Sequence, residues 1–103
     1  LTSVDRKNCV VAELRGRAEN RKTITYGEMG AMIGLASQGP WKVMLDGIAA
    51  DERAEGRPDL ACLVVRASTG FPGYVGTSKA ERQAALAIRQ AVFAAHQTKT
   101  SAA

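Results

Sequence analysis

The chain is poor in the residues that build the commonest catalytic and metal sites. Of its 103 residues, one is histidine, His96, and two are cysteine, Cys9 and Cys62. A single histidine excludes a His-pair metal site, and two cysteines allow neither a four-cysteine zinc site nor a disulfide-rich scaffold. Aromatics are scarce too: Tyr26, Trp41, Phe71, Tyr74 and Phe93 are the whole set. No apolar run approaches the ~18 residues of a membrane span. No basic-then-apolar leader opens the sequence, which predicts a cytoplasmic chain with both thiols reduced. Gly-x-Gly-x-x-Gly, P-loop, His-Glu-x-x-His and Gly-x-Ser-x-Gly motifs are all missing. Gly70-Phe71-Pro72-Gly73 has the glycines of a phosphate loop but opens no helix. The expectation is a protein that is not an enzyme and needs neither metal nor cofactor.

What is present is an ordinary globular composition, 46% hydrophobic and 23% charged. Its length suits one domain, over residues 1–96, with Gln97–Ala103 as a frayed tail. The formal net charge is +4, and its placement matters more than its size. Residues 43–59 set Arg53 and Arg57 against Asp46, Asp51, Glu52, Glu55 and Asp59, while the segments on either side are basic. A basic balance suits a polyanionic partner; its plain alternative is a solvated surface.

Four helices and a short sheet are predicted. Val4, Val11, Leu14 and Ala18 make one stripe over Ser3–Ala18, with Val10 widening it. Thr25 and Glu28 form a capping box for a short helix from Tyr26 to Ile33, closed by Gly34, with Met29, Met32 and Ile33 inward. Pro40 suits the first turn of a third helix, whose inward stripe is Trp41, Met44, Leu45 and Ile48 and which ends near Glu55. Leu60–Val65 is the one clear strand, and Phe71–Val75 is its irregular return. Ser78 and Glu81 open a fourth helix reaching about His96, with Ala85, Ile88, Val92 and Ala95 on one face. The order is that of an α+β, winged helix-turn-helix-like domain with about four helices and a small β-hairpin.

Thr25-Tyr26-Gly27-Glu28-Met29-Gly30, followed by Ile33-Gly34, resembles the opening of the helix-turn-helix in alkylguanine-DNA alkyltransferases and alkyltransferase-like proteins. Leu63-Val64-Val65, then Gly70, Gly73-Tyr74 and Lys79, is similar to a later stretch of that family; together the matches span residues 10–86. The resemblance implies a winged-helix DNA-binding domain. It makes Thr25 and Tyr26 phosphate contacts and Tyr74 a wall of a pocket for a flipped base. The chain departs from the family where chemistry is done. Ala61 falls in the place of the family's cysteine, Cys62 follows it, and no Pro-Cys-His-Arg motif is present. The groove arginine is replaced by the neighbourhood of Pro40 and Trp41, with Gln38 and Lys42 the nearest polar groups, and Ala49–Asp59 is additional length. The chain is thus more similar to uncharacterised bacterial relatives lacking the catalytic motif.

The expectation is a noncatalytic domain that binds duplex DNA. Arg21, Lys22, Arg66 and Lys79 would capture phosphates, Thr25 and Tyr26 fix register, Gln38, Trp41 and Lys42 probe a groove, and Tyr74 face the pocket. Each residue has a plainer reading. Tyr26 can be a half-buried core aromatic, Trp41 the largest core residue, Cys62 a packed thiol, and Arg21 and Lys22 ordinary loop charges. His96 reads as a helix-terminal residue with no visible partner. The carboxylates of the third helix argue against DNA, because they would repel phosphates. The alternative is a protein-interaction module, or a homodimer, using that acidic helix or the Ala-rich fourth one. A third reading gives Cys62 a residual thiol chemistry.

Overall fold

The computed structural model describes residues 3–35 and 41–97, so Gln38 and Pro40 lie outside the described residues. The elements in order are α1 (Ser3–Glu19), β1 (Ile24–Thr25), α2 (Tyr26–Ile33), α3 (Trp41–Ala54), a 3₁₀ turn (Leu60–Leu63), β2 (Val64–Val65) and α4 (Lys79–Ala95). No described helix is long and apolar enough to cross a membrane.

The helix ends follow the local chemistry of the sequence. Thr25 accepts the Glu28 N–H at 3.1 Å, and the Glu28 carboxylate takes the Thr25 N–H at 3.1 Å, which completes the capping box of α2. Gly34 ends α2 in the left-handed region, φ 70°. Ser78 caps α4 by accepting the Glu81 N–H, and Glu81 turns back to the Gly76 N–H. Three helices close with the same reversal, in which an N–H two or three residues past the end returns to a carbonyl five residues earlier. The bonds are Lys22 to Arg17, Leu35 to Gly30 and Arg57 to Glu52. Such reversals place the preceding residue at positive φ, where glycine is least strained. Gly34 and Gly56 meet that demand in α2 and α3; in α1 the residue is Arg21, φ 55°.

The expected strand over Leu60–Val65 is mostly not a strand. The Asp59 carboxylate accepts the Ala61 N–H at 2.8 Å and the Asp59 carbonyl takes the Cys62 N–H. These local bonds wind the segment into a 3₁₀ turn before it can join a ladder. Only Val64 and Val65 extend, and they pair in parallel with β1, Ile24 opposite Val64 and Thr25 opposite Val65. The expected β-hairpin is therefore replaced by a two-stranded parallel sheet. Phe71–Val75 keeps one ladder-like bond, from the Arg66 N–H to the Phe71 carbonyl at 2.9 Å, but forms no strand. Gly70, at φ 74°, makes the tight reversal between them. Ile24 is buried in this sheet.

The core forms around the 3₁₀ turn, against which α1, α3 and α4 all pack. Leu60, Ala61, Cys62, Leu63 and Val64 are buried there against Val10, Leu14 and Ala18 of α1, Met29 and Ile33 of α2, and Trp41 and Ile48 of α3; Val92 and Phe93 of α4 close it. Met44, Leu45 and Val11 pack on its margin. Four residues expected inside are exposed: Val4, Met32, Ile88 and Ala95. The stripe of α1 runs through Val10 rather than Val4, because its first turn extends past the core. That of α4 is centred on Val92 and Phe93, so Ile88 and Ala95 fall on its flank. His96 is not without a partner: its Nδ1 lies 2.9 Å from the Val92 carbonyl.

Candidate nucleic-acid interface

The start of α2 and the loop after β2 enclose an open groove lined by Thr25, Tyr26, Gly27, Arg66, Ser68 and Gly73. β1 and β2 place it, since their pairing brings Thr25 beside Val65 and so Tyr26 beside Arg66. The Tyr26 hydroxyl accepts the Gly73 N–H at 3.4 Å, and its ring meets Trp41 edge-on, centroids 5.7 Å apart. A Cβ on Gly73 would lie 3.4 Å from Arg66 Nε and 3.5 Å from the Tyr26 hydroxyl, so the loop passes close to both groups. Arg66 is exposed. The Thr25 hydroxyl is engaged in the cap, donating to Glu28 Oε1 at 3.1 Å while accepting the Glu28 N–H. With the Glu28 N–H taken by the cap, what α2 offers a ligand is the positive end of its dipole. Glu28 stands there too. The N–H and hydroxyl of Thr25 hold its carboxyl below the usual range, so it stays anionic, and the cation that favours a phosphate in this groove is Arg66.

A cavity of about 300 Å³ adjoins the groove, with Tyr26 and Gly73 common to both. Trp41, Lys42, Asp59, Ala61 and Tyr74 are among its walls. Trp41 is a core residue, 5% exposed, and presents a wall rather than a wedge. Lys42 is exposed and bonded to Asp46 at 2.8 Å, which raises its pKa. Burial raises the Asp59 carboxyl, although the Ala61 N–H partly offsets it. Tyr74 stands at the cavity's rim, mostly exposed, and its hydroxyl, pushed up by partial loss of water and then by the Asp59 charge, remains a neutral donor. Burial also pushes the Cys62 thiol up to about 12, with Asp59 adding to the shift. A thiol so far from ionisation at neutral pH is a poor nucleophile, which leaves the packed-core reading of Cys62.

The carboxylates of the acidic helix are each matched by a cation: Asp46 and Asp51 at the surface, Glu52 in the interior. Asp51 pairs with Lys7 at 2.6 Å and Asp46 with Lys42. Glu52, 2% exposed, is held between Arg15, at 3.3 Å, and Arg57. Arg17 pairs with Glu13 within α1. None of these ion pairs involves Arg21, Lys22, Arg66, Lys79, Arg82 or Arg89.

The structure thus gathers Thr25, Tyr26 and Arg66 at the groove and Trp41, Lys42 and Tyr74 at the cavity. Lys79 is exposed at the first position of α4. Arg21 and Lys22 lie elsewhere, on a cleft shared with Arg89 of α4. Arg82 and Arg89 were not picked out by sequence reasoning. Their seven-residue spacing on one helix face, in a helix whose one acid is Glu81, was the available signal. Among the described residues no cluster of His, Cys, Asp and Glu is fit to hold a metal ion. No protein-family model matches the chain, and comparison with curated proteins and with solved structures finds no match.

Proposed function

We propose that this chain is a noncatalytic domain that binds duplex DNA, with α2 and α3 acting as a helix-turn-helix in a winged-helix-like arrangement. The observation that carries the reading is the segregation of charge. Of the carboxylates of the central helix, Glu52 is buried between two arginines, and the exposed Asp46 and Asp51 are each paired with a lysine. Each of these charges thus has a cation beside it, which lessens the repulsion offered to a phosphate, while Arg66 faces solvent beside the start of α2. Arg66 supplies phosphate donors, the positive end of the α2 dipole favours the same charge, and the Tyr26 hydroxyl, fixed by Gly73, lies between groove and cavity. The resemblance to alkyltransferase-like proteins agrees with this placement: Ala61, at the family's cysteine position, and Tyr74, its pocket wall, line the same cavity.

The test is fluorescence anisotropy on a short duplex, unmodified or carrying one alkylated guanine, over a range of salt. The expected result is binding that weakens steeply with salt, and an Arg66→Gln variant whose log–log salt slope is smaller by about one. Tighter binding to the modified duplex would give the cavity a flipped base as its occupant. Absence of binding at low salt would overturn the reading. The groove lined by Val4, Val43 and Met44, whose two valines are exposed, would then be the surface to pursue as a protein interface, by light scattering.

A further inference from the structure

We infer that the chain carries a second phosphate-binding surface, where the α1–β1 turn meets α4, which takes nucleic-acid backbone through Arg21, Lys22, Arg82 and Arg89. The surface extends the DNA-binding reading and depends on it, but it uses none of the residues of the α2 groove.

Arg21 occupies a position that favours glycine. The reversals ending α2 and α3 have Gly34 and Gly56 at positive φ, whereas the reversal ending α1 has Arg21 at φ 55°. A Cβ-bearing residue is strained there, and nothing in the backbone bonding requires an arginine side chain. What the arginine adds is an exposed cation beside exposed Lys22.

The two α4 arginines are both held on one aromatic ring. Their guanidinium carbons lie 5.2 Å (Arg82) and 5.3 Å (Arg89) from the centroid of one ring, Phe71. The Nε of each is buried with no hydrogen-bond partner among the described residues. Arg89 spends one Nη2 donor on the Gly70 carbonyl, at 2.7 Å, which fixes its plane. Neither takes part in the five ion pairs described above. Two like charges oriented on one ring, with donors to spare, are arranged for an anion with several acceptor oxygens. Arg89, Arg21 and Lys22 share the walls of an open cleft of about 460 Å³. The loop that carries Phe71 begins at Arg66, whose N–H bonds the Phe71 carbonyl, so the two surfaces are joined by one loop. A repeating phosphate backbone, rather than a single small anion, is the ligand that can use both.

The test is the same anisotropy titration with Arg21→Gly, Arg82→Gln and Arg89→Gln variants, beside Arg66→Gln, with Tm recorded for each. Arg21→Gly is the decisive variant, because relief of the left-handed strain keeps its Tm at or above that of the parent. The expected result is weaker binding by Arg21→Gly and a salt slope reduced by about one, with a similar loss in Arg89→Gln. Unchanged affinity and slope in both, with a loss in Arg66→Gln alone, would overturn the second surface and leave the α2 groove standing. Failure of the parent protein to bind would overturn both.

Discussion

Glu52 shows at the scale of one residue how a charge can be misplaced by its type. It continues the stripe through Trp41, Leu45 and Ile48, and that spacing puts it inside. As a glutamate in an acidic stretch it reads as solvated. The structure satisfies both demands by burying the carboxylate between Arg57 and Arg15. Burial pushes its pKa up, but the hydrogen bonds from the two arginines outweigh that and hold it below the ordinary value of 4.5. A carboxyl with a lowered folded pKa contributes stability above its unfolded value, and that contribution is lost as pH falls through the folded pKa. Glu52→Gln is therefore expected to lower stability by about 2 kcal/mol at pH 7. The deficit should shrink as pH drops below about 4.5, since the parent loses the same bonds. Urea unfolding at neutral and acid pH measures both, and a constant deficit would refute the charge-based account. Asp59, shifted upward by burial, works in the opposite sense: protonated it suits the fold, and that stability is lost as pH rises through its folded pKa.

Elements were legible wherever their ends are written in short-range chemistry. Thr25 with Glu28, Ser78 with Glu81, and Gly34 mark boundaries within a few residues of themselves, and the structure places them there. Leu60–Val65 was not legible, because an unbroken apolar run has no period that separates a strand from a buried turn. Its form was decided by Asp59, which holds the Ala61 N–H. The end of α2 supplies a sharper test. A Cβ on Gly30 would stand 2.0 Å from the Leu35 carbonyl oxygen, which is backbone and cannot swing aside. Gly30→Ala, which ordinarily favours a helix, is expected here to destabilise by about 1–3 kcal/mol as the chain reversal shifts. Gly27→Ala is the control in the same helix, since its Cβ would meet only the Thr25 hydroxyl, at 3.9 Å. Thermal melts of the two variants compare them directly, and equal Tm values would contradict the packing described.

For the whole molecule, helix count and order could be read from sequence, but the pairing of strands could not. Glycine and proline between residues 66 and 76 point to a local hairpin, whereas the actual partner of Val64–Val65 lies near residue 24, outside the reach of turn signals. The candidate site divides the same way. The Thr25-Tyr26 block was visible because it is contiguous, while the assembly of Arg21, Lys22 and Arg89 depends on α4 packing beside the end of α1. One core joins every element through the 3₁₀ turn, and the chain should unfold as one unit. Fluorescence of Trp41, the single tryptophan, and far-ultraviolet circular dichroism are expected to give one coincident urea transition. Separate midpoints would show that α4 unfolds apart from the rest.

The parallel pairing of Ile24 with Val64 also sets the order of events in time. Two residues of ladder close a loop on the order of forty residues long, an entropic cost of roughly 3 kcal/mol met before many contacts repay it. The helices, whose bonds are local, can form and dissolve many times while that closure is awaited. The groove at the start of α2 comes into being only when these two distant dipeptides meet.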